Sequence, residues 1–78
     1  MENNRYSVLN QFVNGVELTP KDWEILARHV ATDPNLRRDV VREEGVLLLK
    51  VFRESPFGLL KQTQVPLEIA KMFGYPGD

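Results

Sequence analysis

Asp33-Pro34-Asn35-Leu36-Arg37-Arg38-Asp39-Val40-Val41-Arg42-Glu43-Glu44-Gly45-Val46-Leu47-Leu48-Leu49-Lys50-Val51-Phe52-Arg53-Glu54 is the stretch on which the fold turns. An aspartate followed by proline is a helix-opening signal, because the carboxylate can cap free N–H groups while proline fits the first helical turn. The stretch is therefore expected to form one long helix from Pro34 to about Glu54. Gly45 is its weak point, since glycine costs roughly 1 kcal/mol relative to Ala inside a helix. A break there would leave Val46 to Phe52 as a candidate buried strand. The helix is preferred because the run holds three leucines and neither Thr nor Ile, and because charged residues rather than turn formers bound it.

Working outward, Thr19-Pro20-Lys21-Asp22 repeats the opening signal more completely, with a hydroxyl cap, proline in the first turn and a carboxylate at the positive helix end. A helix from about Pro20 to Ala31 follows. Its Trp23, Leu26, Ala27 and Val30 share one face, and Glu24 and Arg28 form a favourably ordered pair on another. Upstream, Val8, Leu9, Phe12 and Val13 have helical spacing, with Asn4 or Ser7 as cap and Asn14-Gly15 as stop. Downstream, Pro66 to Phe73 reads as a short helix closed by Gly74 and Pro76, and Ser55-Pro56 opens a connector. The expected fold is all-α: residues 1–78 as a single helical domain, a small bundle of about four helices with a long central one. Its core is expected to hold Leu9, Phe12, Trp23, Leu26, Val30, Leu67, Ile69 and Phe73.

Composition narrows the function classes. Leu, Val, Ile and Phe make up 25 of 78 residues, enough apolar content for a folded chain. There is no Cys, so disulfides, thiolate metal sites and cysteine nucleophiles are all excluded. The longest apolar run, Val46 to Leu49, is far short of the roughly 20 residues that cross a bilayer. Met1-Glu2-Asn3-Asn4-Arg5 has an acidic residue and no apolar segment of a secretory signal, so a cytoplasmic setting is expected. Ten Lys and Arg against eleven Asp and Glu give a net charge of −1, which offers nucleic acid no long-range attraction.

Catalytic chemistry finds no assembled set. The chain has one His, His29, and only Ser7 and Ser55 as serines, a poor basis for a nucleophile with its base. Glu43 and Glu44 are adjacent and on a helix would diverge by about 100°. His29 and Asp33, four apart, can share a helix face, but two donors do not complete a metal site. The five glycines, at 15, 45, 58, 74 and 77, match neither the dinucleotide nor the P-loop spacing. No enzyme activity, cofactor or metal is expected.

Two features point to binding. Arg37, Arg38 and Arg42 would lie near the start of the long helix, where cations oppose the helix dipole, whereas Lys50 and Arg53 near its end agree with it. Arginines kept against local electrostatics suit an acidic protein surface or a phosphate backbone. Further along the same helix, Val46, Leu47, Leu48, Leu49, Val51 and Phe52 would leave no wide polar face, and apolar surface not absorbed by a small core marks an interface. The expected partner-binding residues are Arg37, Arg38, Arg42, Val46, Leu49 and Arg53.

Ile69-Ala70-Lys71-Met72-Phe73-Gly74, with alanine and glycine four apart, resembles the first helix and turn of a helix-turn-helix. The resemblance covers about ten residues and implies a second, groove-reading helix, for which only Tyr75-Pro76-Gly77-Asp78 follow. The favoured function is thus a non-enzymatic, cytoplasmic interaction or regulatory module, homodimeric, binding a protein with an acidic surface through a helix face. The alternative is a small nucleic-acid-binding transcriptional regulator using the arginines and the helix-turn-helix-like segment.

Overall fold

The computed structural model describes residues 4–77; Met1 to Asn3, part of the segment behind the cytoplasmic expectation, and Asp78 lie outside them. Two helices come first, α1 (Arg5–Val13) and α2 (Pro20–Thr32), then three strands, β1 (Leu36–Glu43), β2 (Val46–Glu54) and β3 (Phe57–Val65), and a last short helix, α3 (Leu67–Met72). The strands form an antiparallel meander in the order β1-β2-β3. The fold is mixed α and β, which overturns the all-α bundle: the expected Pro34–Glu54 helix is a β-hairpin.

The helices form where local signals predict them. Asn4 caps α1 by accepting from the Ser7 N–H, and at α2 the Thr19 side chain and Asp22 cap each other's backbone N–H reciprocally. The residues from 33 to 54 behave differently because Gly45 is a turn and not a flaw in a helix. Glu43 pairs with Val46 across a two-residue loop in which Glu44 has φ 52° and Gly45 φ 83°. Positive φ at both central positions matches the right-handed twist of a tight hairpin. Asp33 caps no following helix either. It ends α2, and its Oδ1 accepts the Asn35 N–H at 2.9 Å, turning the chain into β1.

Alternation then sorts β2. Leu47, Leu49 and Val51 point to one face and are buried, joining Val8, Phe12, Leu26, Val30, Val65, Ile69 and Phe73 in a single core. All three helices contribute to that core, so they cover this face of the sheet. Trp23 is half-buried, edge-on to Phe12 and Phe73 at 5.8 and 6.1 Å between ring centres. Leu9 is likewise half-buried, whereas Leu67, expected in the core, is largely exposed. A bulge opposite Val51 and Phe52 leaves Leu60 without a register partner and bends β3.

Candidate interaction surfaces

Among the described residues no helix lies over the opposite face of the sheet. Register places Arg37, Phe52 and Leu59 in one row across the strands, Asp39, Lys50 and Gln62 in the next, Val41, Leu48 and Gln64 in a third, and Glu43 with Val46 in a fourth. Phe57 extends the first row, its ring stacked on Phe52 at 5.7 Å and 11°. Phe57 is 67% exposed and Leu59 52%, while Val41, Val46, Leu48 and Phe52 are half-exposed and belong to no part of the core. Both cations have a carboxylate beside them: Arg37 pairs with Glu54, and Lys50 lies 4.0 Å from Glu43. The apolar side chains form two patches, Phe52, Phe57 and Leu59 at one end and Val41, Val46 and Leu48 at the other, with the polar row of Asp39, Lys50 and Gln62 between them.

The expected partner-binding residues are scattered by the change from helix to strand. Arg37 faces the open side, whereas Arg38 and Arg42, at even positions of β1, face the helix side. They are therefore no single helical cluster, and the dipole argument that singled them out does not apply. Arg38 instead ties the sheet to α3, because its Nε donates to the Phe73 carbonyl at 2.7 Å and places a cation at the end of that helix. Gly74 is needed there, since its φ is 90° and a Cβ would come within 3.0 Å of the Arg38 guanidinium. A hollow at the β1 edge brings Arg37 and Arg38 together beside Phe52 and Phe57, but Asp33 and Asp39 line it as well and Arg42 does not. Arg53 reaches the Pro56 carbonyl at 3.3 Å. Leu49 is completely buried and out of a partner's reach, and Val46 lies on the open face.

A second surface lies on α2, on the far side of the core. Lys21, Glu24, Ile25, Arg28 and His29 share one stripe of the helix, and with Arg5 of α1 they line a groove of about 360 Å³. His29 is buried, its ring edge-on to Tyr6 at 5.3 Å. Its Nε2 lies 3.1 Å from Asp33 Oδ2, and its Nδ1 has no hydrogen-bond partner. The Asn35 N–H is the main cause holding the Asp33 carboxyl below its ordinary value, with His29 adding to it against the opposing effect of burial.

The residues that sequence reasoning misses here are Phe57, Leu59 and the outer stripe of α2. The stripe is legible as 21, 25, 28 spacing, but the apolar periodicity of that helix points to its inner face. Phe57 and Leu59 fall in what reads as a connector. The helix-turn-helix-like segment turns its apolar side to the core, through Ile69, Ala70 and Phe73, and no helix follows α3 among the described residues. Among them, no three His, Asp or Glu side chains are grouped to hold a metal ion. Nor is any helix there long and apolar enough to cross a membrane. No family model matches the chain, and no curated protein or solved structure does either.

Proposed function

We propose that the chain is a non-enzymatic, cytoplasmic interaction module that self-associates as a homodimer, with the open face of its sheet as the contact. The observation that carries this reading is that Val41, Leu48, Phe52, Phe57 and Leu59 all lie on the face that no helix covers among the described residues. A second copy fits it because the face is self-complementary. With a two-fold axis lying across the strands between the Lys50 and Leu48 rows, Arg37 of one copy meets Glu43 of the other. Phe52 then meets Val46, and the Lys50 stem covers Leu48 while its ammonium stays beside Asp39 and Glu43. Two sheets packed in this way lie about 10 Å apart with strands nearly aligned.

Three strands about 4.8 Å apart and nine residues long present a footprint of roughly 400 Å² per copy, about half that of a standard interface. The dimer is accordingly expected to be weak and concentration-dependent. Sedimentation equilibrium from micromolar to millimolar protein tests this: the mean mass should climb from the 9.0 kDa of one chain towards twice that value. Phe52→Glu should hold it at one chain without lowering the melting temperature. A parent that stays at 9.0 kDa throughout, or a Phe52→Glu variant that associates as the parent does, would overturn the reading. Nucleic acid is the weaker reading for this face, where Arg37 and Lys50 are outnumbered by Asp39, Glu43 and Glu54.

A further inference from the structure

The groove on α2 is a second binding surface, and we infer that it docks an acidic, partly apolar peptide segment of another protein. The inference rests on the chain being an interaction module, but not on the sheet face being the dimer contact. Three cations, Arg5, Lys21 and Arg28, stand around the groove against one lining carboxylate, Glu24, and the Asp33 carboxylate that His29 and Arg5 both face from beside it. In a chain whose net charge is −1, that is a local excess of opposite sign. Lys21 and Arg28 are two helical turns apart, about 10 Å, with Ile25 between them, half-buried and packed against the core. An extended segment of about four residues spans that separation, placing a carboxylate near each cation and an apolar side chain over Ile25.

His29 is the buried member of the lining. It lines the groove, its side chain is 1% exposed, and its Nδ1 is unpartnered. The Asp33 carboxylate makes Nε2 the donor, so in the neutral imidazole Nδ1 is an acceptor with nothing donating to it. Buried polar atoms are ordinarily satisfied, and Nδ1, with almost no exposed surface of its own, is left without a partner. The helices lie on the opposite side of the sheet from the open face, so a peptide in this groove and a second copy on that face do not compete.

The test is selection from a random peptide library on the full chain, followed by a ¹H–¹⁵N spectrum of the chain with the winning peptide. Enriched peptides should carry Asp or Glu on both sides of an apolar residue and shift the amides of Arg5, Ile25, Arg28 and His29. Lys21→Glu with Arg28→Glu should weaken binding by about tenfold or more, since like charges then face each other. Phe52→Glu should bind the same peptides unchanged, which separates this inference from the dimer. Enrichment without acidic residues, shifts confined to the strands, or equal binding by the double variant would each overturn it. So would inorganic phosphate or a DNA duplex giving the same shifts at lower concentration than the peptide, because the groove would then be a phosphate site.

Discussion

Leu49 and Leu48 are neighbours in β2, yet they inhabit different proteins in energetic terms. Leu49 is fully buried under α1, α2 and α3, whereas Leu48 points to the side that no helix covers. A strand apolar at both alternating positions is the pattern of a sheet covered on both faces, and here, among the described residues, only one face has a cover. The two faces of β2 both carry leucine and differ in cover. The largest expected effect follows directly. Leu49→Ala should cost about 3 to 4 kcal/mol, the transfer loss plus a cavity that the surrounding core cannot close. At a concentration where the chain is monomeric, Leu48→Ala should cost less than about 1 kcal/mol, because the side chain it loses was half in water. Urea denaturation of the two variants measures the difference. Equal losses would mean that the open face is covered.

How legible the molecule is depends on whether a signal is local. Thr19, Pro20 and Asp22 fix the start of α2 through hydrogen bonds within four residues, and Asn4 does the same for α1, so both helices can be read from sequence. Phe12, Leu26, Val30, Ile69 and Phe73 are legible as core for the same reason: helical spacing names a face. The hairpin is not legible because its signals point both ways. Asp33 accepts an N–H two residues on, which serves a turn as well as a helix cap. Glu44-Gly45 lacks the Asn or Asp that would announce the loop. Leucine at 47, 48 and 49 favours helix by intrinsic preference, and pairing with β1 and β3 overrides that preference. Of the candidate site, residue types are legible and faces are not: an arginine pattern read at 100° per residue is split between two sides when read at 180°.

Arg38 and Arg37 extend the comparison to polar residues, one on each side of β1. Arg38→Gln removes the charge-assisted bond to the Phe73 carbonyl and the cation at the end of α3, and should cost about 1 kcal/mol. Arg37→Gln breaks an exposed pair with Glu54 and should cost no more than about 0.5 kcal/mol, fading in high salt. Thermal melts at low and high salt separate the two. If the Arg37 variant is the less stable one, the open face contributes more to the monomer than its exposure allows.

Effects of similar size belong to the turn that decides which residue gets which face. Because strand side chains alternate, a slip of one residue between β1 and β2 would carry Leu47, Leu49 and Val51 to the open side, and the two-residue loop at Glu44-Gly45 is what pins the register. A Cβ at Gly45 meets nothing within 4 Å, so the cost of Gly45→Ala is conformational alone. It should be roughly 1 kcal/mol for an L-residue at φ 83°. Glu44 already bears such a cost at φ 52°, and Asn tolerates that region better. Glu44→Asn should therefore raise stability by about 0.5 kcal/mol, and it should leave the amide shifts of β2 unmoved, since the register does not change. A variant no more stable than the parent would mean that a contact of the Glu44 side chain offsets the strain, and that the loop is not the element that sorts the two faces.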